Sequence, residues 1–179
     1  GRIGTAGAKM AEFGVNYGIF REAIMVQMTW PGAPTLYYGD EAGVCGWTDP
    51  DNRRTYPWGF EDFELIEYHR YLIDLHKKLP ALRRGSLKQL LADRQLIVYG
   101  RMSGENKCAV IINNRGESRS VRVPVWELGI TDEDAITRMM LSDEKGYNAG
   151  RIDYRADHGW LTLDVPAHSG VLLSSGALV

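Results

Sequence analysis

The chain has 179 residues, with 21 Lys and Arg against 23 Asp and Glu, a formal net charge of −2 and 44% hydrophobic residues. This is ordinary globular composition and excludes the disordered, collagen-like and low-complexity classes. The near-neutral balance leaves no clustered basic surface for nucleic acid, and no apolar stretch approaches the ~20 residues of a membrane span. The cysteines, Cys45 and Cys108, stand far apart and form neither a disulfide framework nor a metal-ligand spacing. Cys108 reads as a small buried hydrophobe in a strand, Cys45 as a loop thiol.

The sequence opens Gly1-Arg2-Ile3-Gly4-Thr5, with neither an initiator Met nor a secretory signal; in a piece of a longer chain that absence carries no weight. Ile19, Ala23, Val26 and Trp30 recur at helical spacing and predict a helix over 18–30 with that stripe as its face. Pro31-Gly32 stops it. Thr35-Leu36-Tyr37-Tyr38 is short, rich in strand formers and bounded by Pro34 and Gly39, which predicts a buried strand. Residues 39–60 form a long loop of Gly, Asp, Pro and Asn that carries Trp47, Tyr56 and Trp58. Loops of this length in a compact domain are functional or disordered, and the aromatics argue against disorder. A second helix over 61–78 follows, with Leu65, Tyr68, Leu72, Leu75 and Leu79 as its stripe and Pro80 as its end.

After Gly85 the period changes to two. Leu96–Tyr99, Cys108–Ile112, the alternating Val121, Val123 and Val125, the alternating Leu161, Leu163 and Val165, and Leu172-Leu173 read as strands separated by turn signals. They predict an antiparallel Greek-key sandwich. The chain divides into a helix–strand–helix segment, 1–85, and an all-β domain, 86–179.

The loop holds the most specific signal. Pro31-Gly32-Ala33-Pro34-Thr35-Leu36-Tyr37-Tyr38-Gly39-Asp40-Glu41-Ala42-Gly43 runs into Asp49-Pro50-Asp51-Asn52-Arg53-Arg54 and Tyr56-Pro57-Trp58. This resembles the eighth barrel strand and following loop of the alpha-amylase family, glycoside hydrolase family 13, and within it the neopullulanase, cyclomaltodextrinase and maltogenic amylase group. The resemblance extends through Leu79-Pro80-Ala81-Leu82-Arg83-Arg84-Gly85 and the β region to Pro166-Ala167-His168-Ser169-Gly170-Val171-Leu172. It implies an α+β piece: the last helix–strand–helix of a (β/α)₈ TIM barrel, then the family's C-terminal β-sandwich. A complete barrel needs about 250 residues, so only part of one fits here.

The resemblance further implies retaining hydrolysis of α-1,4 or α-1,6 glucosidic bonds in oligosaccharides, cyclodextrins or pullulan, by a nucleophile and an acid about 5–5.5 Å apart. The family's three catalytic carboxylates lie on its fourth, fifth and seventh strands. Arg2-Ile3-Gly4-Thr5 resembles the stretch after the seventh, so no catalytic residue is expected here. Asp40-Glu41 and Asp49/Asp51 do not replace them: adjacent residues on extended chain point apart, and the family's Gly-Asp-Glu turn is structural. The positions matching Asp49 and Arg53 line the family's glucan cleft. A carboxylate accepts from sugar hydroxyls and a guanidinium donates in a fork; the alternative is a salt bridge that only staples the loop. Trp47 is a candidate stacking surface, or else holds the loop to its scaffold. Trp58, after Pro57, reads as a packing anchor. His69 and His76 are seven residues apart, which is not the spacing of a zinc helix, and read as solvated or capping histidines. No metal or cofactor is implied. The implied partner is an α-glucan oligosaccharide, without nucleic acid or membrane, and a cytoplasmic location is favoured for this group.

The alternative function is a non-catalytic carbohydrate-binding or interaction β-sandwich. Aromatics clustered on an exposed sheet face would favour it, but Trp126, Tyr147, Tyr154 and Trp160 are scattered along the sequence. In barrel geometry without barrel neighbours, Ile19, Val26, Leu36 and Tyr38 would be exposed. The leader is therefore expected to be disordered, packed on the β-domain, or buried in a homo-oligomer.

Overall fold

The computed structural model describes residues 14–176 except residue 105. Helix α1, Tyr17–Thr29, starts at Asn16, whose side-chain oxygen accepts the Ile19 N–H at 3.1 Å. It ends where Trp30 turns extended before Pro31. Helix α2, Phe63–Lys78, is capped by Asp62, which accepts the Leu65 N–H at 3.1 Å. His76, Lys77 and Lys78 lie in its last turn, at the negative end of its dipole. Pro80 does not simply end the helical region: with its fixed φ it opens a further short helix, α3, Pro80–Arg84.

The strands are β1 Ser86–Asp93, β2 Leu96–Ser103, β3 Asn106–Asn113, β4 Arg119–Val123, β5 Ile136–Asp143, β6 Gly146–Asn148, β7 Ile152–Tyr154, β8 Leu161–Val165 and β9 Ser169–Ser175. One sheet runs β1-β2-β3-β9-β5-β6, with β7 also on β5; β4 and β8 form a second, two-stranded sheet. Every pairing is antiparallel. The two sheets make the expected sandwich. Thr35–Tyr38, expected as a strand, has no strand partner among the described residues. A barrel strand needs a parallel neighbour on each side, and the strands described here pair antiparallel with one another.

The large sheet is covered on both faces, which is why its strands read as unbroken apolar runs. Val98, Ala109, Ile111, Val171 and Leu173 face the small sheet and pack with Val121, Val123, Leu161 and Leu163. Tyr99, Cys108, Val110, Ile112 and Leu172 face the helices and pack with Met25, Met28, Leu72, Leu75 and Leu79. Helix α1 lies on β5 and β9, so the described part of the leader packs on the β region.

It does so with the face opposite to the one expected. Gly18, Arg21, Glu22, Ile24, Met25, Met28 and Thr29 are buried. Ile19, Ala23 and Trp30 are exposed and Val26 is half-buried. Ile19 and Ala23 point away from the sheet, while Val26 packs at the edge of the core and Trp30 meets Tyr99 edge-on at a centroid distance of 5.2 Å. The buried face puts Ile24, Met25 and Met28 into the core, and its polar residues bond across the seam. Arg21 pairs with Glu64 and donates to the Asp143 carbonyl at 3.1 Å, and the Tyr68 hydroxyl donates to the Arg21 carbonyl at 2.8 Å. Thr35–Tyr38, expected to be buried, is exposed along its whole length, because among the described residues nothing packs over Leu36, Tyr37 and Tyr38; the exposure of Leu36 and Tyr38 is that expected of barrel residues without their neighbours.

Close approach dictates Gly18. A Cβ there would lie 2.8 Å from the His168 carbonyl oxygen and 2.8 Å from Glu144 Cγ. Gly18→Ala, which favours a free helix by about 1 kcal/mol, is expected here to destabilise by about 1–3 kcal/mol, as overpacking does, seen as a lower urea midpoint.

Glu22 is 4% exposed, and its Oε1 has no hydrogen-bond partner among the described residues. Burial pushes its carboxyl from 4.5 up to about 8. A carboxyl raised in this way holds its proton when folded and releases it on unfolding. Its contribution is complete below about pH 4.5 and is lost as pH rises through about 8. Stability is expected to fall between those values, by at most about 1.4 kcal/mol per pH unit, and Glu22→Gln to flatten that slope in denaturant titrations run across the range.

Candidate functional site

The 39–60 loop leaves the Tyr37-Tyr38 segment through Gly39, whose φ of 90° suits glycine. A 3₁₀ turn, Asp40–Ala42, follows, and Glu41 accepts the Gly39 N–H at 3.0 Å. Glu41 is thus tied to its own turn. Burial, and then the neighbouring Glu41 charge, raise the Asp40 carboxyl, with His69 opposing. A cavity of about 140 Å³ lies beside this turn, lined by Tyr17, Phe20, Asp40, Val44 and Cys45 among others.

Two carboxylate–guanidinium pairs follow, interleaved in Asp49-Pro50-Asp51-Asn52-Arg53-Arg54. The inner pair is two-pronged and three-quarters buried: Arg54 Nε and Nη2 reach Asp51 Oδ1 and Oδ2, each at 3.1 Å. The Tyr38 hydroxyl donates to the Arg54 carbonyl at 2.8 Å, joining the loop to the extended segment before it. The outer pair has the same chemistry and a different exposure. Arg53 Nε lies 2.9 Å from Asp49 Oδ1 and Nη2 lies 3.2 Å from Oδ2, with side chains 60% and 68% exposed. An exposed pair of this kind contributes about 0–1 kcal/mol, so its donors and acceptors can exchange partners at small cost.

Asp49 and Arg53 are therefore brought together, and Trp47, 53% exposed, stands on the same loop. Trp58 departs from its expected role as an anchor: it is 80% exposed and leans on Tyr56 at a centroid distance of 4.5 Å. The Pro57 turn, with Phe60 N–H donating to the Pro57 carbonyl at 2.8 Å, projects the ring outward. Both helix histidines bind main-chain carbonyls. His69 Nδ1 lies 2.7 Å from the Leu65 oxygen and is buried rather than solvated; His76 Nδ1 lies 2.7 Å from the Met28 oxygen. The Asp51–Arg54 pair was not singled out from sequence, although its i, i+3 charge spacing was there to read.

The comparisons agree with this architecture. No protein-family model matches the chain. It is 32% identical over 167 residues to an amylopullulanase of Thermoanaerobacterium thermosulfurigenes, covering 86% of this chain and 8% of that protein. It is 40% identical over 120 residues to neopullulanase 2 of Thermoactinomyces vulgaris, covering 65% of this chain and 20% of that one. Its fold matches the crystal structure of a debranching enzyme from Nostoc punctiforme with a TM-score of 0.72 at 30% identity, over 92% of this chain and 32% of the other. These likenesses bear out the resemblance to the alpha-amylase family, of the neopullulanase-like kind. The chain spans no more than a fifth of the length of these two curated relatives.

The burial difference between the two ion pairs predicts different consequences. Asp51→Ala leaves the partly buried Arg54 without its fork and is expected to speed proteolytic cleavage within 46–60 several-fold. Arg53→Ala is expected to leave the cleavage rate unchanged. Time courses of limited proteolysis on both variants check this.

Proposed function

We propose that the chain is the end of the catalytic barrel, residues 1–85, joined to the C-terminal sheet domain, residues 86–179, of an α-glucan hydrolase. The division falls at Gly85, between α3 and β1. The parent enzyme cleaves α-1,4 or α-1,6 glucosidic bonds with retention, consuming only water, and its nucleophile, acid and third carboxylate come from barrel strands outside these 179 residues. The 179 residues alone are inactive. Within them Asp49 and Arg53 hydrogen-bond sugar hydroxyls in the cleft, and Trp47 offers a ring face to a pyranose.

The observation that carries this reading is the exposed Asp49–Arg53 pair, on a loop whose shape is held instead by Asp51, Arg54 and Tyr38. Polar groups that the scaffold does not need, set on the loop after a barrel-strand segment, are the usual material of a barrel active face. In the enzyme containing this chain, Arg53→Ala is expected to raise KM for maltooligosaccharides about tenfold, as loss of a charged hydrogen bond does, while the fold survives. Unchanged kinetics on cyclodextrin, pullulan and starch would remove Arg53 from the site. Release of maltose or panose by the purified 179-residue chain would overturn the placement of the catalytic carboxylates.

A further inference from the structure

We propose that Tyr38 is a positioning residue for glucan binding. Its hydroxyl sets where Arg53 stands relative to the 35–38 segment, while the Asp51–Arg54 fork sets only the shape of the loop that carries Arg53. The proposal rests on the reading of Asp49 and Arg53 as cleft residues and names the side chain that fixes their place.

The bonds within the 48–54 limb of the loop are local. Asp51 N–H donates to the Thr48 carbonyl at 2.9 Å, Arg53 N–H to the Pro50 carbonyl at 3.1 Å, and the Arg54 guanidinium to Asp51 at 3.1 Å. Each of these joins residues three apart, so together they hold a curl that would swing as a unit without losing any of them. The Tyr38 bond is of another kind. Its hydroxyl donates to the Arg54 carbonyl at 2.8 Å across 16 residues. It ties the limb to chain outside the loop at the residue next to Arg53. Arg53 is then held from both sides, by its own N–H and through the carbonyl of its neighbour.

The post that carries this hydroxyl is itself fixed. Gly39 follows Tyr38 with a φ of 90°; its N–H donates to Glu41 at 3.0 Å and its carbonyl accepts the Val44 N–H at 2.9 Å. At the other end of the segment, Gln27 of α1 donates to the Thr35 carbonyl at 2.5 Å, and α1 lies on β5 and β9. Placement therefore passes from the sheet through α1 and Tyr38 to the limb. The Asp49–Arg53 pair is too exposed to supply it. A guanidinium recognises hydroxyls as a directed fork, and a misplacement on the order of 1 Å is costly to an oriented contact. The hydroxyl, and not the ring, carries this role: Tyr38→Phe removes the bond and keeps the ring that lies 5.0 Å from Tyr37.

The test is a double-mutant cycle on KM and kcat for maltoheptaose, in the enzyme containing this chain. Tyr38→Phe is expected to raise KM about three- to fivefold, within the range of one lost neutral hydrogen bond, and to move kcat less. In an Arg53→Ala background the same change is expected to leave KM within about 1.5-fold, because the group it positions is already gone. A structural role alone would move KM equally in both backgrounds, and that result would overturn the proposal. So would an unchanged KM in Tyr38→Phe, or a fall in kcat alone, which marks a smaller folded fraction. Arg53→Ala without effect on KM would remove the cleft reading and this proposal together, whereas an effect of Arg53→Ala with none of Tyr38→Phe would remove this one alone.

Discussion

The orientation of the helices on the sheet depends on one buried cation. Arg101 on β2 is 1% exposed and has no carboxylate partner among the described residues. Its guanidinium donates instead to the Thr29 carbonyl at 2.6 Å and the Gly85 carbonyl at 2.8 Å. Thr29 is the last residue of α1 and Gly85 follows α3, so the charge sits at two helix C-termini, where orphan carbonyls and the negative dipole ends converge. Taking a guanidinium out of water costs several kcal/mol unless its donors are met; these carbonyls take Nη1 and Nη2 in this arrangement of helix and sheet, while the buried Nε has no hydrogen-bond partner among the described residues. The Thr29 hydroxyl extends the junction to the Met25 carbonyl at 2.7 Å and to the Tyr99 hydroxyl at 2.6 Å.

The apolar seam around it supplies cohesion without direction. Met25 and Met28 adapt their shape to many settings, so Leu, Met and Tyr contacts alone would let α1 slide or rotate on β5 and β9. The polar contacts remove that freedom at intervals: Arg21 to Asp143 at one end, Arg101 to Thr29 at the other, and Asn106 accepting the Ala81 N–H at 3.0 Å under α3. With α1 and α2 both seated, the 39–60 loop between them has fixed ends. Its internal shape is held by the Asp51–Arg54 fork, the Tyr38 hydroxyl, the Asp40–Ala42 turn and main-chain bonds such as Asp51 N–H to the Thr48 carbonyl and Asp62 N–H to the Ala42 carbonyl. Helix packing in the β region therefore reaches as far as the placement of the exposed Asp49–Arg53 pair.

Much of this could be read in the residues, and the exceptions have physical causes. The α2 stripe from Leu65 to Leu79 and the strands of the sandwich follow from period alone. Strands β1 and β5 were missed because each carries a register shift, between Gln89 and Leu91 and between Arg138 and Met140, which breaks the alternation partway along the strand; β6 and β7, three residues each, are too short to show a period. The buried face of α1 was misjudged because the helix is apolar on more than one side, and the face that packs includes Arg21 and Glu22, which hydropathy assigns to solvent. Trp126 and Gly159 are far apart in sequence and in contact in space, Trp126 N–H donating to the Gly159 carbonyl at 3.0 Å just beyond the end of the β4–β8 pairing. The alpha-amylase resemblance, in contrast, rested on a contiguous motif and did not depend on tertiary structure.

The two Asp–Arg pairs of the loop show why exposure, rather than residue type, assigns their parts. Both are bidentate with near-identical distances. At effective dielectrics near 20, a contact of this length is worth a few kcal/mol before desolvation and ordering are subtracted, and in water about 1 kcal/mol. The Asp51–Arg54 pair, with about a quarter of each side chain exposed, lies toward the first regime, and losing its two-pronged contact costs more there than in water. The Asp49–Arg53 pair lies in the second. Its closure is nearly isoenergetic with solvation, so a hydroxylated ligand that offers both a donor and an acceptor can open it without deforming the loop. On the proposed reading, a strongly held pair at that position would stabilise the loop and resist a sugar, whereas a weak pair beside a strong one leaves a rigid frame with groups free to exchange partners.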